Sequence, residues 1–99
     1  LTPQEAQQFF PLYFELQDKK DAINRKAWAQ MRKGKEENLS EAEYNKIVEE
    51  IIKARISCDQ LDLEYLHKYQ KFLSSKQIFN IQRAEMWFHR ELLKPHRKK

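Results

Sequence analysis

The chain has one glycine, three prolines and one cysteine in 99 residues. One glycine excludes the glycine-rich loops that cradle phosphates, because those turns need several residues without a Cβ. One cysteine excludes an intrachain disulfide and any zinc site built from cysteine pairs. With so little glycine and proline there are few places to turn, so the helices must be long. Long hydrophobic runs are also missing. None exceeds Phe9 to Phe14, far short of the roughly 20 apolar residues that span a bilayer, so stable membrane insertion is not expected. Serine is confined to Ser40, Ser57, Ser74 and Ser75, and two of these belong to helix caps. No arrangement of nucleophile, base and oxyanion donor stands out, and the chain is not expected to be an enzyme or to need a cofactor.

What is present is charge and apolar surface in equal supply. Charged residues make up 34% of the chain and hydrophobic ones 40%, which argues against disorder. A length of 99 residues suits a single domain. The net charge of +4 is unevenly placed: residues 1–17 carry −2, 18–33 carry +4, 34–50 carry −4, 51–72 carry +1 and 73–99 carry +5. An acidic middle between basic flanks is a weak signal for nucleic acid and a better one for a charged protein partner.

Three segments share one pattern: Leu, then Thr or Ser, two free positions, then Glu or Gln. They are Leu1-Thr2-Pro3-Gln4-Glu5, Leu39-Ser40-Glu41-Ala42-Glu43 and Leu73-Ser74-Ser75-Lys76-Gln77. Each reads as a capping box, with the hydroxyl accepting from the N3 amide and the Glu or Gln accepting from the N-cap amide. The leucine ahead of each cap stands at the staple position, facing Ala6, Tyr44 or Ile78 at N4.

The boxes predict three helices. The first runs over 3–33, with Pro3 at N1, a kink at Pro11 and Gly34 in the left-handed position that closes the helix. Phe9, Tyr13, Leu16, Ile23 and Ala27 form its core stripe, and Phe10, Phe14, Trp28 and Met31 lie off it. The second helix runs over 41–72. Tyr44, Ile51, Cys58, Tyr65 and Phe72 repeat every seven residues, as do Ile47, Ala54, Leu61 and Lys68. A second apolar set, Ile52, Ile56, Leu63 and Leu66, lies on a nearly opposite face. One neighbouring helix cannot cover both faces, so this helix is either central in the monomer or shared with another copy. The third helix runs over 75–94 and stops at Pro95, with Ile78, Ile81, Phe88 and Leu92 on one face and Phe79, Met86 and Leu93 on a flank. Residues 1–94 form one domain, and 95–99 form a basic tail.

The remaining constellations have plain readings. Glu85 and His89 are i,i+4 neighbours with Met86 alongside, but the paired histidines of a zinc helix are absent, so no metal ligand is assigned. Cys58 reads as a small core residue. The sharper alternative places it on a two-fold axis, since the midpoint of 41–72 falls near Ile56 and Cys58. The pairs Lys19-Lys20, Arg25-Lys26 and Arg32-Lys33 recur every two turns. They resemble a minor-groove binder in passing, but read more simply as a solvated helix face.

The third box, preceded by Tyr69-Gln70-Lys71-Phe72, resembles the LTxxQ motif of the Spy/CpxP group of periplasmic proteins. The first box resembles that group's other copy, and Phe9-Phe10-Pro11-Leu12-Tyr13, Arg83-Ala84-Glu85 and Arg90-Glu91-Leu92-Leu93 fit the same branch. Glu5 stands where the motif has Gln and Ser74 where it has Thr, and both keep the capping chemistry. The motif positions are Leu1, Thr2, Glu5, Leu73, Ser74 and Gln77.

The resemblance implies an all-α, Spy/CpxP-like fold, with three long helices in an elongated antiparallel hairpin arrangement, assembled as an antiparallel homodimer. It implies a periplasmic location, with a signal peptide removed ahead of Leu1. It also implies an ATP-independent chaperone or envelope-stress binding protein that holds unfolded or partly folded clients. The client or dimer surface is then Ile52, Ile56, Leu63 and Leu66 with Phe10, Phe14 and Trp28. Wider relatives sense heavy metals through histidine-rich positions not reproduced here. A regulatory or metal-responsive sensor is the alternative function and a helical nucleic-acid binder the third; no nucleic-acid partner is expected under the leading reading.

Overall fold

The computed structural model describes the backbone of residues 1–93 and the side chains of residues 1–87. Within them the chain is all-helical: α1 covers Pro3–Glu36, α2 covers Glu41–Tyr69 and α3 covers Ser75–Leu93. The expected basic tail, 95–99, and the side chains of Phe88, His89, Leu92 and Leu93 lie outside the described residues.

All three helices begin where the capping boxes predict, and every box is complete. Thr2 N–H donates to Glu5 Oε1 at 3.0 Å and Glu5 N–H donates to Thr2 Oγ1 at 3.1 Å. Ser40 and Glu43 exchange the same two bonds at 2.9 and 3.2 Å. Ser74 and Gln77 do so at 2.9 and 3.1 Å. Each box satisfies amide donors that the first turn leaves without intrahelical partners. The staples differ. Leu73 is buried with Ile78 packed against its cluster, whereas Leu1, facing only Ala6, stays 52% exposed.

The helix ends differ from the sequence expectation. α1 continues past Lys33 to Glu36, and no described residue has a positive φ. Gly34 is therefore helical, not a left-handed terminator. Closure comes instead from Glu37 in extended conformation, whose N–H donates to Lys33 O at 3.1 Å. Pro11 sits inside a continuous α1. α2 stops at Tyr69, three residues before the expected Phe72. There Phe72 N–H and Leu73 N–H both return to Tyr69 O, at 3.1 and 2.9 Å. This tight turn drops Leu73 into the core and frees Ser74 to cap α3.

α1 and α2 form an antiparallel hairpin. Phe9 stacks near Tyr69 at 4.8 Å between centroids, Lys20 pairs with Asp62, Asn24 meets Cys58, and Gly34 faces Ile47. The seam is narrow. Phe9, Leu16, Tyr65, Tyr69 and Leu73 form its buried cluster, with Leu12, Tyr13, Leu61, Phe72, Ile78 and Ile81 packed around them. Ile47, Cys58 and Ala27 continue it toward the Glu37–Leu39 turn. α3 leans on the end of the hairpin where α1 begins and α2 ends. The body measures 54 × 41 × 18 Å, a thin slab in which few side chains can be buried on every side.

Candidate functional site

The slab leaves large apolar side chains in solvent on all three helices. On α1, Phe10, Phe14, Trp28 and Met31 are exposed, Trp28 at 61%. On α2, Val48, Ile52, Ile56 and Leu63 are exposed, Leu63 at 55%. Their spacings of four, four and seven place them on a single stripe of the helix. On α3, Phe79, Met86 and Trp87 are exposed. The sequence-predicted surface residues Ile52, Ile56, Leu63, Phe10, Phe14 and Trp28 are thus all outward. Leu66 is not. It is half-buried and lines a cleft against α3. Val48 and Trp87 went unnamed in the sequence reading, although Val48 lies one turn before Ile52.

The first and third boxes, 72 residues apart, meet. Gln77 Nε2 donates to Glu5 Oε1 at 3.0 Å, the same oxygen that accepts from Thr2 N–H. Those donors, the Thr2 amide first and the Gln77 amide second, hold the Glu5 carboxyl below its usual range. The middle box stands apart at the far turn, where the Ser40 amide lowers Glu43 in the same way. There Tyr44 Oη donates to Glu37 O at 3.2 Å and helps hold the turn.

Beside the joined caps, the three helices enclose a cleft of about 550 Å³. Phe9, Leu16, Leu66, Ile78 and Ile81 make its apolar walls, and Tyr13, Tyr69 and Glu85 its polar corner. Tyr13 Oη donates to Glu85 Oε2 at 3.0 Å. Burial, and then this carboxylate, raise the Tyr13 phenol. Tyr69 is only 9% exposed, and its hydroxyl has no hydrogen-bond partner among the described residues. Burial foremost, and then Glu85, push it up to about 12. At the opposite end Lys20 and Asp62 pair at 2.9 Å. The sequence placed Glu85 only beside His89 and in the Arg83-Ala84-Glu85 pattern, and Tyr69 only ahead of the third box, with no role at this corner for Tyr69. Its place one turn beyond Tyr65, on the same face, was the available signal.

The other candidates find quiet positions. Cys58 is buried in the seam, its Sγ 3.8 Å from Asn24 Oδ1. It therefore points at α1, not at an outer face where a two-fold axis would pass. Burial raises its thiol. Lys19 and Lys68 lie 5.2 and 4.3 Å from the Tyr65 ring centroid. Lys26 shares a second groove with Lys46, Lys53 and Glu50. The basic pairs of α1 are thus spread over separate contacts. His67 is exposed, and the described residues hold no group of three His, Cys, Asp or Glu placed to bind a metal. None of the described helices is long and apolar enough to cross a membrane.

No family model matches the chain, and no curated protein or solved structure is significantly similar to it. Among the described residues, the class defined by fold and surface is an all-helical, thin, three-helix body with exposed apolar stripes.

Proposed function

We propose that the protein is an ATP-independent, periplasmic chaperone or envelope-stress binding protein of the Spy/CpxP type, which holds unfolded clients and works as an antiparallel homodimer. The observation that carries this reading is the apolar surface left in water on every helix of an 18 Å slab. Contiguous exposed apolar surface of this kind marks interaction sites. The stripe of Val48, Ile52, Ile56 and Leu63 lies away from the α1 seam, so it needs a partner outside this chain. A second copy is the commonest partner for such a helix. The outer aromatics Phe10, Phe14 and Trp28, interleaved with Lys19, Arg25 and Lys26, suit an unfolded client. Charge speeds the encounter, and apolar contact retains the client. The joined first and third boxes also support the family reading, because the two motif copies form one local unit.

The test is suppression of aggregation of an unfolding reporter protein at stoichiometric amounts, together with solution mass. The protein is expected to keep the reporter soluble and to sediment as a dimer. Ile56→Arg is expected to weaken both while leaving the helical circular dichroism intact, because Ile56 is exposed in the monomer. A monomer that leaves aggregation unchanged overturns the proposal.

A further inference from the structure

The cleft between the three helices is built differently from the outer stripes. Its walls are mostly apolar, and at one corner a carboxylate keeps an accepting oxygen open. Glu85 Oε2 takes the Tyr13 proton at 3.0 Å, which leaves Glu85 Oε1 and a Tyr13 lone pair open among the described residues. The Tyr69 hydroxyl is buried beneath the same corner, out of a ligand's reach and with no hydrogen-bond partner among the described residues. Among the described residues, Lys20 is the one cation lining the cleft, and it is already held by Asp62 at 2.9 Å. Aromatic faces surround the corner as well. Phe9 stacks with Tyr13 at 5.5 Å and lies 4.8 Å from Tyr69. Aromatic rings beside a carboxylate attract a cation through the ring quadrupole as well as through charge.

We propose that this cleft binds a primary alkylammonium group, with its nitrogen on Glu85 Oε1 and the Tyr13 oxygen and its apolar stem along Leu16, Leu66 and Ile78. An ammonium carries three donors and no acceptor, which suits a corner where Glu85 Oε1 and the Tyr13 oxygen can only accept. An alcohol or carboxylate head does not match them. The volume of about 550 Å³ falls within the range of small-molecule sites, and the stem needs no polar contact along walls of this composition. The chemistry is shared by a free amphiphilic amine and by the side chain of a lysine in a bound polypeptide. The inference stands apart from the client-holding reading, since it uses none of the exposed stripe residues.

Calorimetric titration of the full chain with hexylammonium, hexanol, hexanoate and N-acetyl-lysine amide tests it. Hexylammonium is expected to bind at least about tenfold more tightly than hexanol or hexanoate, as a charge-assisted hydrogen bond implies. Glu85→Gln is expected to remove that preference. Tyr13→Phe is expected to weaken hexylammonium binding several-fold, because it removes the second accepting oxygen of the corner. Lysine-amide binding comparable to hexylammonium identifies a polypeptide as the source, and hexylammonium binding alone identifies a free amine. Equal affinity for all the six-carbon probes, no binding, or an ammonium preference that survives in Glu85→Gln overturns the proposal.

Discussion

Replacing Tyr65 by Phe isolates the energetic effect of one atom. Tyr65 is 0% exposed at the centre of the seam, and its hydroxyl has no hydrogen-bond partner among the described residues. The Lys19 ammonium is drawn to this hydroxyl, which raises the lysine, but the pair does not reach hydrogen-bond geometry. A buried hydroxyl without a partner costs about 1–3 kcal/mol in lost hydration. Tyr65→Phe removes that cost. It keeps the ring, its packing with Phe9 and Leu16 in the cluster, and the face that Lys68 approaches at 4.3 Å. The void left by one oxygen and the lost attraction to Lys19 offset part of the gain. The net expectation is a stabilisation of about 0.5–2 kcal/mol, from the same range less those two losses. For a domain of this size that raises the melting temperature by roughly 2–16 °C, at about 4–8 °C per kcal/mol. Urea and thermal unfolding followed at 222 nm measure it, with Tyr65→Ala as the control expected to lose about 3–5 kcal/mol through the cavity. A loss of more than about 1 kcal/mol in Tyr65→Phe refutes the reasoning, because it means the hydroxyl makes a favourable bond.

Gly34→Ala is expected to stabilise the protein by about 0.5–1 kcal/mol, because a glycine inside a helix wastes backbone entropy. Gly34 has no positive φ, and the added Cβ meets Ile47 Cδ1 at 3.4 Å, an ordinary contact; destabilisation in urea would show that Gly34 is needed as a terminator after all. Glu5 and Glu43 both have carboxyls lowered by cap hydrogen bonds, so their contribution is fully present above the ordinary carboxylate pKa of 4.5. It fades as pH falls through the lowered values, because protonation of the native carboxylates is then linked to unfolding. Unfolding curves from pH 6 down to pH 3 should show this acid loss reduced in the Glu5→Gln, Glu43→Gln double variant; an unchanged slope would mean that other carboxylates dominate.

Helix starts were legible in the sequence and helix ends were not, for a physical reason. A start is written in side chains that bond specific amides, and Thr2, Ser40 and Ser74 each do so. An end is decided by competition. Gly34 was able to stop α1, but it stays helical without a positive φ and closure passes to Glu37. The residues after Tyr69 contain no helix breaker, and α2 ends there because Leu73 is worth more in the core than another turn of helix. Sorting apolar residues by face succeeded for Phe10, Phe14 and Trp28 on α1 and for Ile52, Ile56 and Leu63 on α2. It misjudged Leu66, whose exposure depends on where α3 leans, a tertiary fact with no local signal. Glu85 and Tyr69 were hidden for the same reason, since their corner exists only once three helices converge.

The shared oxygen of Glu5 makes the molecule a gauge of its own helix lengths. Gln77 reaches Glu5 only if the path out along α1 and the path back along α2 agree to within a hydrogen bond, 3.0 Å. One residue added to either helix shifts everything beyond it by about 1.5 Å and turns it by roughly 100°, which is enough to part the two caps. The four residues Glu37, Asn38, Leu39 and Ser40 between the helices lie beyond both ends of that measurement. Length can change there without registering at the caps, and within α1 or α2 only as a matched pair.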